Sequence, residues 1–148
     1  MRSLKWTILQ SVLLLCILFC PFRFNLHLLA FVRYAGLFSL IAGALVASFA
    51  ALALNAGFSA SLKPEADGKL VQTGLYGIVR HPAYSGITLA SLGFSLWMSD
   101  AARILLTAGL AVLFNAKTGV EEEYLAKIHP EYVDYINRVK KRFVPGIY

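Results

Sequence analysis

Two short groups of residues carry the side chains that could do chemistry, and the first lies in residues 74–86. This segment reads GLYGIVRHPAYSG and places an arginine and a histidine, Arg80 and His81, among glycines and tyrosines. Glycine permits unusual backbone angles and close approach of a ligand. Pro82 disfavours helical geometry at the preceding residue, so His81 is predicted to lie on a bend before an apolar segment. In the alternative interpretation, Arg80 and His81 only contact lipid phosphates.

The second group is a run of three glutamates at residues 121–123, directly after an apolar segment. On a helix, three consecutive side chains spread over about 200°, so at least one of them should face inward. Carboxylates where a helix leaves a membrane are costly unless a cation neutralises them. Arg80, Lys117 or a cationic ligand could be that partner. A charge run is usually a solvated face, and this is the expectation for Glu123.

Composition predicts the elements that must position these residues. Of the 148 residues, 58% are hydrophobic and 15% are charged, whereas soluble domains have about 45–50% apolar and about 25% charged residues. So short a chain buries a small share of its surface, which argues against a soluble globule, a disordered tail and a disulfide scaffold. The sequence therefore predicts an all-α integral membrane protein with about four transmembrane helices. The apolar segments are residues 4–22, 28–56, 84–98 and 104–116.

The chain is predicted to form a single domain in four parts. The last two apolar segments are shorter than the ~20 residues that a straight span prefers, so they are expected to form a short hairpin, and the sequence leaves open whether both cross fully. Beyond the hairpin, apolar residues recur at helical spacing among charges, and Pro130 divides this region into two amphipathic helices on the membrane surface. The N-terminal spans, the cytoplasmic loop, the hairpin and the interfacial C-terminal segment are residues 1–56, 57–83, 84–116 and 117–148.

Basic residues predict the orientation in the membrane. The net charge is +6, from 14 Lys and Arg against 8 Asp and Glu. With four spans and the N-terminus inside, all of these basic residues except Arg23, Arg33 and Arg103 fall on the inner side. Positive charge collects on cytoplasmic loops, so both termini and both chemical groups are predicted to face the cytoplasm from a bacterial-type inner membrane. We therefore interpret the net positive charge as one that contacts membrane lipids and does not bind nucleic acid.

The motifs together resemble those of a membrane methyltransferase superfamily. Residues 74–76 and 80–86 are similar to the GxY…RHPxYxG signature of the isoprenylcysteine carboxyl methyltransferase and phospholipid methyltransferase superfamily. Residues 121–125 resemble its downstream EExxL element, and residues 132–145 resemble its closing YxxYxxxV…P stretch. The elements occur in the family's order and cover residues 70–145, half of the chain.

The resemblance implies a membrane methyltransferase that uses S-adenosylmethionine, with the cofactor site built from these elements. It implies that Arg80, His81 and Glu122 are catalytic residues and that the enzyme uses no metal ion. Carboxylates and aromatic rings suit the cofactor's ammonium and sulfonium, and cationic side chains suit its carboxylate. Lys117 stands where an arginine is common in this superfamily. The implied cofactor-binding residues are Val71, Gly74, Tyr76, Arg80, His81, Pro82, Tyr84, Gly86, Glu121 and Glu122.

The acceptor is expected to be lipophilic, and a prenylcysteine-like carboxylate, a lipid amine and a thiol all stay open. A neutral amine must lose a proton, which His81, Glu121 or Glu122 could accept. The other functions considered are a small membrane transporter, a structural membrane subunit and a sterol-type membrane reductase. No Asp or Glu lies within an apolar segment, which argues against a transporter because such proteins use intramembrane carboxylates. Cys16 and Cys20 lie four apart in an apolar run and are expected to be free thiols.

Overall fold

The computed structural model describes residues 2–54 and 70–143, and over these residues the protein is all-α, as predicted. A single turn of 3₁₀ helix, Gly74–Gly77, precedes the third α-helix. Residues 57–69 of the predicted cytoplasmic loop and Pro145 of the closing motif lie outside the described residues. The helices are α1 (Arg2–Phe19), α2 (Ala30–Ala53), α3 (Pro82–Trp97), α4 (Ala101–Ile128) and α5 (Tyr132–Arg138).

Helices α2 and α4 are long and apolar enough to cross a membrane, with 24 and 28 residues. Large apolar side chains of α2 point away from the rest of the protein, since Phe38 and Leu52 are each 73% exposed. A contiguous exposed apolar face of this kind is uncommon in soluble monomers and supports the predicted membrane class. Helix α1 and the 16-residue α3 are shorter, so the number of four spans stays a prediction.

The structure corrects one prediction, because α4 continues to Ile128 without a break. The hairpin was expected to end at residue 116 and to be followed by two separate amphipathic helices divided by Pro130. One glycine inside a helix costs only about 1 kcal/mol relative to alanine, and the residues that follow Gly119 are mostly good helix formers. The helix ends at His129, which is extended as expected for a residue before proline. The three glutamates therefore lie on the same rigid helix as the apolar span.

Helices α2 and α3 are antiparallel and pack backbone against backbone through glycines. A Cβ atom added to Gly43 of α2 would lie 2.4 Å from the Ala90 nitrogen and 2.6 Å from the Gly86 oxygen of α3. A Cβ atom on Gly93 would lie 2.3 Å from the Leu40 nitrogen of α2. Small residues that allow such approach are typical of helix contacts in membranes. This contact fixes α3, whose first turn carries the RHP motif.

At the opposite end of α3, a buried ion pair joins the α3–α4 turn to the end of α1. Asp100 is 1% exposed and Arg103 is 3% exposed, and their carboxylate and guanidinium are paired. Arg103 also donates from Nε to the Ile17 carbonyl at 2.9 Å and from Nη2 to the Cys20 carbonyl at 3.2 Å. These carbonyls lack helical partners at the end of α1. Arg103, which was predicted only to lie on the outer side of the membrane, is therefore buried and acts as an internal clamp.

Asp100 completes the clamp by accepting backbone hydrogen bonds. Its Oδ1 atom accepts from the Phe24 nitrogen at 3.3 Å and from the Ala102 nitrogen at 3.0 Å, which caps the start of α4. Burial by itself would raise the pKa of Asp100, but these two N–H groups and Arg103 outweigh it and lower the pKa below its ordinary value. The carboxylate is thus held in its charged form.

We expect Asp100→Asn to lower the free energy of unfolding by about 1–3 kcal/mol near neutral pH. Asparagine keeps an acceptor for the backbone N–H groups but leaves the buried Arg103 without a carboxylate. Because folding lowers the pKa of Asp100, the contribution of the pair is present above about pH 4, the unfolded value, and is lost as the pH falls through the folded value. Thermal unfolding in detergent at neutral and acidic pH measures this, and an equal difference at both pH values would contradict it.

Candidate active site

The RHP motif lies at the bend that opens α3. His81 has φ −127° and ψ 62°, which is not helical, and Pro82 occupies the first position of the helix. Proline suits this position because its missing N–H would have no partner there. The predicted bend is therefore confirmed. It directs the side chains of Arg80 and His81, which are 9% and 8% exposed, into the protein.

Glu122 of α4 is the centre of the charges that meet there. Its Oε1 atom accepts from Arg80 Nε at 2.8 Å and lies 3.0 Å from His81 Nε2. Its Oε2 atom accepts from Arg142 Nη2 at 2.8 Å. Three cationic or ionisable groups thus surround one carboxylate that is 8% exposed. We name Arg80, His81, Glu121, Glu122 and Arg142 the ionic cluster.

Glu121 is bound differently from its neighbour. Its Oε1 atom accepts a 2.7 Å hydrogen bond from the Tyr84 hydroxyl, and its Oε2 atom lies 3.8 Å from His81 Nδ1, beyond hydrogen-bond distance. The Tyr84 ring stacks on Phe114 of α4 with centroids 4.6 Å apart. Because its ring is packed against Phe114, Tyr84 fixes the position of the Glu121 carboxylate. Glu121 keeps more capacity to accept hydrogen bonds than Glu122 does.

A segment after α5 ties the ionic cluster to the end of the described chain, and we name residues 139–143 the C-terminal strap. The backbone nitrogens of Arg80 and His81 donate to the carbonyls of Lys141 and Arg142 at 2.9 and 3.1 Å. Nη1 of Arg80 donates to the Val139 carbonyl at 2.8 Å. Ser85 of α3 donates to the Phe143 carbonyl at 2.7 Å. The strap thereby satisfies the polar groups that the bend before α3 leaves unpaired.

Two buried tyrosines connect α5 to the 3₁₀ helix and to α2. The Tyr135 hydroxyl donates to the Tyr76 carbonyl at 2.7 Å, and the Tyr76 hydroxyl donates to the Ala50 carbonyl at 3.3 Å. Burial raises the pKa of Tyr76 to about 12 and that of Tyr135 to about 12. Both hydroxyls are therefore neutral donors at physiological pH, with a structural part in holding these elements together.

The structure brings together five of the predicted site residues and places the others around them. Val71 packs against the cluster formed by Tyr76 and Ala50. Gly74 has φ +62° with open space around it, which fits a glycine at an exposed turn. Gly86 faces α2, where an added Cβ would lie 2.5 Å from the Ala47 nitrogen. The exposed position of Glu123 is confirmed. The residues that come together are Arg80, His81, Tyr84, Glu121 and Glu122.

Sequence reasoning missed Arg142 and the contact of Lys117 with Gln10. Arg142 was counted only as one of several basic residues near the membrane, and its Nη1 atom also reaches Asn115 at 3.2 Å. Lys117 is fully buried and donates to Gln10 of α1 at 2.9 Å. Lys117 was named as a possible partner of the glutamates, and its Nζ atom lies 3.9 Å from Glu121 Oε1; the sequence held no sign of its contact with α1.

Comparison with known proteins shows which family this chain is similar to. The sequence pattern of the phospholipid methyltransferase family matches residues 31–132. Protein-S-isoprenylcysteine O-methyltransferase B of Arabidopsis thaliana is 32% identical over 108 residues, which cover 70% of this chain and 55% of the relative. The protein-S-isoprenylcysteine O-methyltransferase of Saccharomyces cerevisiae is 34% identical over 79 residues, or 52% of this chain and 33% of the relative. The chain thus spans between a third and just over half of the length of these relatives.

The fold is that of a solved membrane enzyme. The structure of the eukaryotic intramembrane Ras methyltransferase, an isoprenylcysteine carboxyl methyltransferase, aligns with 99% of this chain and 53% of its own, with a TM-score of 0.71 and 22% sequence identity. The matched pattern runs from the start of α2 to the first residue of α5 and contains the bend before α3 and both inward-facing glutamates. The chain therefore belongs to the phospholipid methyltransferase family.

Proposed function

We propose that this protein transfers a methyl group from S-adenosylmethionine to the carboxylate of a lipophilic, prenylcysteine-like acceptor. The observation that carries the proposal is the ionic cluster, in which the RHP motif meets Glu121 and Glu122 at 8–12% side-chain exposure. Buried charges are costly and often mark a functional site. The relatives are named as isoprenylcysteine methyltransferases, which supports the same chemistry here.

The ionic cluster fits the amino-acid end of S-adenosylmethionine, which carries a carboxylate and an ammonium. Nε of Arg142 is buried and has no acceptor among residues 2–54 and 70–143, so it offers a donor to a carboxylate. Glu121 offers acceptor capacity at Oε2, as its nearest approach to His81 is 3.8 Å. An arginine that forms charged hydrogen bonds and a carboxylate beside it are the groups that recognise an amino acid.

The residues of the cluster divide into two roles in this proposal. Glu121 binds the cofactor's ammonium, while Tyr84 fixes its orientation. Glu122 holds Arg80, His81 and Arg142 in place, because its two oxygens already contact all three. When bound, the cofactor supplies a methyl group activated by its sulfonium. The chain's contribution is to hold the donor where the acceptor can approach in line, which removes much of the entropic barrier.

The cluster favours an acceptor that is already anionic. Both ring nitrogens of His81 face carboxylates, with Nε2 at 3.0 Å from Glu122 and Nδ1 at 3.8 Å from Glu121. Glu122 accepts from three groups. Nε2 of His81 and both oxygens of Glu122 are therefore already engaged with each other or with arginines, whereas a carboxylate acceptor needs no deprotonation. The proposal retains the cytoplasmic orientation, so that the soluble cofactor arrives from the water and the acceptor from the bilayer.

A binding and transfer experiment tests this proposal. The protein purified in detergent should bind S-adenosylhomocysteine in calorimetry and should not bind a nicotinamide dinucleotide. With methyl-labelled cofactor, an N-acetylated S-prenylcysteine should become labelled in a form that releases volatile methanol in base, since methyl esters hydrolyse and methylamines do not. Folded protein that binds no S-adenosylhomocysteine would overturn the proposal. Base-stable label on phosphatidylethanolamine vesicles would replace the carboxylate acceptor with a lipid amine.

A further inference from the structure

Helix α1 carries none of the family's motifs, yet it sends one polar side chain into the protein next to the ionic cluster. Gln10 is 4% exposed in an apolar helix. Its Oε1 atom accepts a 2.9 Å hydrogen bond from Nζ of Lys117 on α4. This contact joins residues 107 positions apart in the sequence. It links the N-terminal helix to the helix that carries Glu121.

Lys117 lies close to Glu121 without reaching it. Its side chain is 0% exposed, and its Nζ atom lies 3.9 Å from Glu121 Oε1 and 5.0 Å from the centroid of the Tyr84 ring. The ammonium thus supports the charge of a buried carboxylate and lies over an aromatic face that favours cations. At 3.9 Å it does not form a hydrogen bond with Glu121. The carboxylate therefore keeps its capacity to accept another donor.

We propose that Gln10 is a positioning residue that holds Lys117 at this distance and so keeps Glu121 able to bind the ammonium of the cofactor. This inference rests on the proposed function. Loss of the Gln10 amide removes one acceptor of the flexible lysine side chain, which can then move closer to Glu121 Oε1, 3.9 Å from Nζ. A closed Lys117–Glu121 pair would compete with the cofactor's ammonium. Helix α1 is in this way part of the active site.

Two ligands separate this role from a general effect on the fold. S-adenosylhomocysteine carries the ammonium, whereas 5′-methylthioadenosine has the same nucleoside and lacks the amino-acid end. In calorimetry, Gln10→Leu should weaken binding of S-adenosylhomocysteine about tenfold, as expected when one hydrogen bond to a charged group is lost, and should leave binding of 5′-methylthioadenosine unchanged. Gln10→Glu keeps an oxygen at the same place, so its affinity for S-adenosylhomocysteine should stay within about threefold of the parent.

The matched control is Ser95→Ala, which removes a buried hydrogen bond of 3.1 Å between α3 and Thr107 of α4, away from the ionic cluster. It should leave the affinities for both ligands unchanged. The positioning role alone would be overturned if the Gln10→Leu variant bound S-adenosylhomocysteine like the parent. The same holds if the variant lost affinity for both ligands equally. A parent protein that binds no S-adenosylhomocysteine would overturn the proposed function and this inference together.

Discussion

Glu122→Gln is expected to cost about 3–5 kcal/mol of folding stability, the usual effect of breaking a buried charge pair by removing one partner. The substitution preserves the shape of the side chain but takes away the charge that Arg80, His81 and Arg142 share. Two guanidinium groups would then lie inside the protein without their carboxylate. Thermal unfolding in detergent measures the loss. Where enough folded protein remains, we expect binding of S-adenosylhomocysteine to weaken at least tenfold, because the groups around the cofactor site lose their anchor.

The adjacent residue provides the control for this experiment. Glu123 is exposed on the same helix, and Glu123→Gln removes the same charge one position away. It should change stability by no more than about 0.5 kcal/mol, as is usual for surface substitutions. If Glu122→Gln and Glu123→Gln proved equally stable, Glu122 could not be the centre of a buried ionic cluster. That outcome would also remove the observation on which the proposed function depends.

Gly43→Ala is expected to have the second large effect, although it adds a single methyl group. The new Cβ would lie 2.4 Å from the backbone nitrogen of Ala90, and a helix backbone cannot move aside as a flexible side chain can. We expect a loss of about 3 kcal/mol, at the upper end for overpacking, because α2 and α3 must separate along their contact. The separation would also draw the start of α3 away from α4, so that binding of S-adenosylhomocysteine falls together with the melting temperature.

Gly109→Ala is the matched control for the helix contact. Gly109 lies within α4, and an added Cβ there would have no atom within 4 Å among those compared. Replacing an unconstrained helical glycine by alanine stabilises by roughly 0.5–1 kcal/mol. The two substitutions should therefore change the melting temperature in opposite directions. A loss at Gly109 similar to that at Gly43 would mean that glycine matters here for some reason other than close packing of α2 and α3.

The meeting of the RHP motif with the glutamates was predictable because both groups flank the same hairpin. Two apolar segments joined by a short turn return the chain to its starting level, so Arg80 and Glu122 had to lie near each other. Because these two side chains carry opposite charges, they were then expected to form an ion pair. The choice between Glu121 and Glu122 was not predictable, since it depends on the rotation of α4 about its axis, and packing of Phe114 and Leu110 against α1 determines that rotation.

Other features of the structure could not be predicted, because they depend on contacts between residues that are far apart in the sequence. Gly86 reads equally well as a position for close ligand approach or for close helix approach, and only the presence of Gly43 opposite it decides for the helix. The burial of Arg103 was not predictable, because besides Asp100 it contacts the backbone carbonyls of Ile17 and Cys20, and no sequence pattern reveals such contacts. The separation of the hairpin from the helix after it was predicted from the change from apolar to charged residues, and such a change does not by itself end a helix.

The distance in sequence between the partners of the ionic cluster has a consequence for biosynthesis. Arg80 is made 42 residues before Glu122, which at ribosomal rates of roughly 5–20 residues per second is an interval of about 2–8 s. During this time the guanidinium has no carboxylate, and a bilayer interior would exclude it. Water near the bend before Pro82 can solvate the Arg80 guanidinium until α4 has been synthesised. A charge cluster that lies outside the apolar segments is therefore one that a nascent chain can assemble.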